Sequence, residues 1–151
     1  MKNWLVCFLG FIILKAIAAQ ETATREELNK KMLEWHNEFR SKILNCQLEG
    51  QPQAKTMPNM TYDEKLAETA QKWADICTFG HDDAANRNPG GYGYVGQNMA
   101  GSYTFKSGFD LWISEHEHYD YEGNLCANGK VCGHYTQVRQ FSNCVLILLT
   151  H

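Results

Sequence analysis

Apolar side chains recur along this chain at helical spacing in three places and at strand spacing in two. Leu28, Met32, Trp35, Phe39 and Ile43 step by four, three, four and four residues, which predicts one apolar face of a helix. Thr24-Arg25-Glu26-Glu27 precedes it and reads as a capping box, the Thr24 hydroxyl and Glu27 carboxylate satisfying free amides at the helix start. Leu66, Ala70, Trp73, Ala74 and Cys77 predict a second amphipathic helix, narrow with alanine, and Thr61-Tyr62-Asp63-Glu64 reads as its capping box. Phe105, Phe109, Trp112 and His116 mark a third. Residues 96–100 predict a short strand, and the run VLILL at 145–149 is a strand's length. Residues 47–59, with Pro52 and Pro58, residues 82–95 and residues 120–130 read as loops. Helices flanking short strands without regular alternation predict a mixed, layered domain.

Composition narrows the class. The 151 residues suit one domain, and with 21% charged and 44% hydrophobic residues the chain is not expected to be disordered. Lys2, the apolar run over 4–14 and the small residues at 16–19 predict a signal peptide over residues 1–19, hence a secreted, extracellular protein. That run is well short of the roughly 20 residues a membrane-spanning helix needs, so no transmembrane segment is expected. Removing residues 1–19 leaves 12 basic against 17 acidic residues, a net charge of −5. An acidic chain without a basic run argues against nucleic-acid binding.

Cys7 lies in the signal segment, leaving Cys46, Cys77, Cys126, Cys132 and Cys144. In an oxidising compartment these should pair, yet five is odd. Cys126 and Cys132 flank a five-residue polar loop that a local disulfide could close. Asn59-Met60-Thr61 is a glycosylation sequon with Asn59 as acceptor, in a Pro-containing loop.

Three patterns that suggest chemistry do not support it. Gly91 to Gly96 matches G-x-G-x-x-G in form, but it follows a loop and opens no helix, so no helix N-terminus is offered to a pyrophosphate. His116-Glu117-His118 looks metal-like. Residues two apart on a helix point about 200° apart, so the run reads as a solvated helix terminus. Ser102, Ser107 and Ser114 lie in no nucleophile-elbow pattern.

Five segments together resemble one family. Gly133-His134-Tyr135-Thr136-Gln137-Val138 resembles the signature of the CAP superfamily: cysteine-rich secretory proteins, venom allergens and plant pathogenesis-related class 1 proteins, which share the SCP/TAPS domain. Trp35-His36-Asn37-Glu38-Phe39-Arg40 resembles its first-helix run. Leu66-Ala67 through Cys77-Thr78-Phe79-Gly80-His81 resembles its second helix and the His that follows. Gly96-Gln97-Asn98-Met99-Ala100 resembles its "GENLA" strand, and Trp112-Ile113-Ser114-Glu115 its third-helix "W-x-x-E". The pattern is most similar to the venom allergen-like proteins of parasitic worms.

The resemblance implies an α+β fold, an α/β/α sandwich, with the CAP domain over 20–138 and a divergent tail over 139–151. It implies a central sheet incomplete at its C-terminal side, because Arg139, Gln140 and Phe141 follow where the family has an apolar residue and Trp. By the family's usual pairing Cys77 would bond to a cysteine absent here, leaving Cys46, Cys77 and Cys144 to share one bond at most. A marginal, aggregation-prone protein with one reactive thiol is the expectation.

The resemblance also implies a cleft formed by His81, Gln97, Glu115 and His134. Two imidazoles, His81 and His134, are a natural ligand pair for Zn²⁺ or Cu²⁺. The family places a carboxylate at the position of Gln97; an amide can hydrogen-bond but cannot take a proton, so Glu115 is the one acid left. A secreted binding module is therefore favoured over an enzyme, with sterols, fatty acids or host proteins as candidate ligands and zinc as candidate cofactor. The alternatives are a metal-assisted hydrolase at the same cleft, with Glu115 as base, and a truncated, poorly folded variant with little activity.

Overall fold

The first helix begins where the capping box places it. In the computed structural model, which describes residues 24–140 and 144–149, the Thr24 hydroxyl accepts from the Glu27 amide at 3.2 Å and the Glu27 carboxylate accepts from the Thr24 amide at 2.7 Å. The expected signal segment, residues 1–19, lies outside the described residues. Helix α1 (Arg25–Leu44) buries Met32, His36, Phe39, Arg40 and Ile43. Leu28 and Trp35, expected on the buried face, stand at its border, half-buried. At 3.6 residues per turn the centre of the face passes through His36 and Arg40, which polarity alone would assign to solvent.

The second helix corrects two expectations. Its cap is Asp63 and not Thr61: Asp63 Oδ1 accepts from the Leu66 amide at 3.2 Å, and Oδ2 accepts from the Tyr92 hydroxyl at 2.6 Å. Helix α2 (Glu64–Ala74) then ends before Cys77. Cys77 adopts φ of 56° and is exposed, so it leaves the apolar face predicted for it. The segment read as irregular after it contains a four-residue helix, α3 (Ala84–Arg87), capped by Asp83.

Strand β1 (Gly96–Gly101) is buried except at its last residue and organises the rest. It is followed by helix α4 (Phe105–Ser114), a 3₁₀ turn (Glu115–His118), and a two-residue hairpin of β2 (Tyr119–Asp120) and β3 (Leu125–Cys126) within the segment read as loop. Helix α5 (Gly133–Arg139) and strand β4 (Cys144–Leu149) complete the order. β4 lies parallel to β1, with Gly96 opposite Cys144 and Gly101 opposite Leu149. A parallel pair needs a long crossover, and α4, the hairpin and α5 supply it.

Two apolar clusters flank β1 because its side chains alternate. Met99 and Val95 meet Leu66 and Ala70 of α2, with Trp73 and Tyr92 at the border. Ala100 meets Met32, Phe39 and Ile43 of α1, Phe109 and Trp112 of α4, and Tyr135 and Val138 of α5. Helices thus cover both faces of the strand, the layered α/β/α arrangement. Trp112 fixes the helical side by donating its indole N–H to the Met99 carbonyl at 3.0 Å. β1 passes close to α5 at Gly96, where a Cβ would meet the Gln137 carboxamide and that side-chain end would have to move.

Cys126 and Cys132 are joined, with an S–S distance of 2.06 Å, which ties the hairpin to the start of α5. Among the described residues, Cys46 and Cys77 are both exposed and free, so they do not pair with each other. His116 also departs from its solvated reading. Its Nδ1–H donates to the Ile113 carbonyl at 2.7 Å, and its ring packs against Phe39 and Tyr135, because the tighter 3₁₀ turn rotates it toward the core. Glu117 between the two histidines is exposed.

Candidate functional site

His81 is held by the loop that follows α2 and by β1. The Trp73 indole donates to the Gly80 carbonyl at 2.8 Å and pins the residue before it. Asp82, the residue after it, pairs with Arg87 of α3 at 2.6 Å, and both side chains are about nine-tenths buried. The exposed His81 ring then meets Gln97 of β1, Nδ1 to Oε1 at 2.6 Å. An amide oxygen only accepts, so Nδ1 carries a proton, and in the neutral ring Nε2 carries the lone pair.

His134 is held by α4 and α5. Its Nδ1 meets Glu115 Oε1 at 2.6 Å. Glu115 Oε2 accepts two more bonds, from the His134 amide at 2.9 Å and the Tyr135 amide at 3.1 Å. The residue before α5, Cys132, provides no side-chain cap, so Glu115 does that work from another element. Here too the acceptor fixes a proton on Nδ1, so that in the neutral ring Nε2 carries the lone pair. Trp112 lies parallel to the His134 ring, 6.1 Å between centroids and 16° between planes.

The four candidate residues therefore form two pairs, His81–Gln97 and His134–Glu115. They share the start of β1: next to Gln97, the buried Asn98 donates its side-chain amide to the His134 carbonyl at 3.0 Å. No group of three or more His, Cys, Asp or Glu side chains gathers as a metal site among the described residues. Asn98, Trp112 and the Asp82–Arg87 pair are parts of this site that the sequence reading gave no role. Trp112 and Asn98 sit inside matched segments, and the Arg87–Asp82 spacing of five offered no signal. Asn59 of the sequon is exposed in an irregular segment.

Glu115→Ala removes one acceptor from three N–H donors. Hydrogen bonds to a charged group contribute about 1.5–3 kcal/mol, so a destabilisation in that range is expected in urea unfolding. Glu115→Gln, which keeps one acceptor oxygen, is expected to fall between Glu115→Ala and the parent.

Comparison with known proteins places this arrangement. Residues 33–143 match the cysteine-rich secretory protein family, CAP. Scoloptoxin SSD43 of Scolopendra dehaani is 33% identical over 129 residues, covering 78% of this chain and 59% of that protein. Venom allergen 5.02 of Vespa crabro is 35% identical over 136 residues, covering 82% of this chain and 65% of that protein. The structure of Schistosoma mansoni venom allergen-like protein 4 superposes with a TM-score of 0.70 at 29% identity, covering 74% of this chain and 71% of that one. The chain spans less than two thirds of the length of these curated relatives. With the family matched over 111 consecutive residues and its α/β/α layering present, the chain belongs to the CAP family of cysteine-rich secretory proteins.

Proposed function

We propose that this chain is a secreted CAP-domain binding module whose cleft holds a divalent metal ion, and not a hydrolase. The observation that carries this reading is the state of the two groups that could serve as a base. Glu115 accepts from three N–H groups, and its counterpart Gln97 is an amide that cannot take a proton. Neither is poised to activate water. Two imidazoles, each oriented through Nδ1–H, support the metal reading, because a neutral Nε2 is a ligand for a metal such as zinc. A bound zinc would supply Lewis acidity and a fixed positive charge. The chain's own residues orient the rings and stiffen the loop bearing His81.

Sterols, fatty acids and host proteins are the candidate ligands of the module, and secretion is proposed from the signal-like segment together with the kinship to venom allergens. Among the described residues no helix is long and apolar enough to cross a membrane. Purified protein is expected to take up about one Zn²⁺ per chain, with uptake lost in His81→Ala and in His134→Ala. The zinc-loaded protein is expected to show no peptidase or esterase turnover. Hydrolysis that disappears in Glu115→Gln would instead establish the enzyme reading.

A further inference from the structure

Acidic residues crowd one stretch of the chain. Residues 107–129 contain no Lys or Arg, yet hold Asp110, Glu115, Glu117, Asp120 and Glu122. Glu117, Asp120 and Glu122 surround Tyr119 and Tyr121 on the β2–β3 hairpin; all three are exposed and form no ion pair among the described residues.

The fold separates two tyrosines that the sequence leaves equivalent. Tyr119 is half-buried: its hydroxyl donates to Asn124 Oδ1 at 2.5 Å, and its ring packs on Tyr135, 5.6 Å between centroids. Tyr121, in the turn between β2 and β3, is 47% exposed, and its hydroxyl makes no hydrogen bond among the described residues. Its ring lies under the Arg139 guanidinium, 4.4 Å from the centroid. Arg139 forms no ion pair among the described residues, and its Nη1 has no hydrogen-bond partner there. A cation with an unused N–H group thus stands over the ring of the exposed phenol.

We propose that Tyr121 is a tyrosine-sulfation site, and that the sulfate ester formed there pairs with Arg139. The proposal rests on the secretion proposed above, because sulfation of protein tyrosines takes place in the secretory pathway. The sulfuryl donor, 3′-phosphoadenylyl sulfate, is strongly anionic, so the transferase that holds it presents a cationic cleft. The acids beside Tyr121 draw the hairpin to that cleft. The phenolic oxygen attacks sulfur, and the bond from sulfur to the donor's phosphate oxygen breaks. Adenosine 3′,5′-bisphosphate leaves, and the phenolic proton passes to a base of the transferase. The product is an anion with acceptor oxygens at the tip of Tyr121. A guanidinium matches such a group through charge-assisted hydrogen bonds.

The test is incubation of the purified full-length chain with a tyrosylprotein sulfotransferase and 3′-phosphoadenylyl sulfate, followed by tandem mass spectrometry that preserves the ester. Sulfate is expected on Tyr121. Tyr121→Phe is expected to lose incorporation and Tyr119→Phe to keep it. Asp120→Asn combined with Glu122→Gln is expected to slow transfer about tenfold. In the sulfated parent the Arg139 Nε–H resonance is expected to move downfield, a response that an ester facing only solvent would not give. No transfer to the folded parent where an acidic control peptide is sulfated, or sulfate on Tyr119 or another tyrosine in place of Tyr121, overturns the proposal. Localisation on the parent keeps that outcome independent of whether any variant folds. Expression of the full chain in an animal cell line separates the two readings. Chain in the medium without sulfate, or with phosphate in its place, overturns this proposal alone. Chain confined to the cytosol overturns the secretion reading on which it rests.

Discussion

Replacing Arg40 with methionine is expected to destabilise the fold by about 3–5 kcal/mol, read from urea unfolding at neutral pH. Arg40 is 2% exposed and sits in the middle of the buried face of α1. Its guanidinium donates to the Pro58 carbonyl at 2.8 and 3.2 Å, the Val138 carbonyl at 2.9 Å and the Gln140 carbonyl at 2.8 Å. One side chain therefore joins the first helix, the loop before α2 and the exit from α5. Methionine keeps much of the volume and none of the donors. Each carbonyl left buried without a partner costs ~1–3 kcal/mol, and three of them give the stated range after partial rehydration at Pro58 and Gln140, which are both exposed. Since domains of this size are typically stable by about 5–15 kcal/mol, the variant should lose a large part of its stability. A change under about 1 kcal/mol would show that the carbonyls find water.

Acidification is expected to destabilise the protein through His36. This ring is fully buried, 4.7 Å from Phe109 and 6.4 Å from Trp112 between centroids. Its Nδ1–H donates to the Met32 carbonyl at 2.7 Å, and Nε2 has no hydrogen-bond partner among the described residues. Burial pushes its pKa down to about 4; the bond to Met32 opposes this and the Arg40 charge adds to it. The unfolded chain holds the proton with the ordinary pKa near 6.5. Below that value the unfolded state binds more protons than the folded state, so stability falls as pH falls. The contribution of His36 is intact above about pH 6.5 and declines down to about pH 4, where the loss reaches about 3 kcal/mol. His36→Met cannot titrate, so its stability relative to the parent should rise by that amount across the same window. Parallel pH profiles for the two proteins would rule out His36 as the cause.

These two residues also show what the chain hides when read as a sequence. The apolar stripe of α1, the Thr24 cap, the position of β1 and the Cys126–Cys132 bond depend on near neighbours, and local spacing reveals them. His36 and Arg40 occupy the centre of the same stripe, but their burial depends on acceptors at Met32 and, for Arg40, on carbonyls about 18 to 100 residues away. Hydropathy carries no information about such partners. Local spacing does not resolve the second helix start, because Thr61 and Asp63 are both good caps, and the bond from the distant Tyr92 favours Asp63. The family motifs single out His81, Gln97, Glu115 and His134. They did not disclose that Glu115 caps α5 or that Asn98 holds the backbone of His134, since both roles arise from tertiary contact.

The central claim is that the cleft presents two imidazoles in one tautomer, each with Nε2 available to a metal. Long-range proton–nitrogen correlation spectra of the histidine rings, recorded near pH 7.5 before and after zinc addition, test it most directly. The account predicts that His81 and His134 both carry the proton on Nδ1 without metal, and that both Nε2 resonances shift together as about one equivalent of zinc is added. A proton on Nε2 of either ring, or a zinc response confined to other histidines, would contradict it.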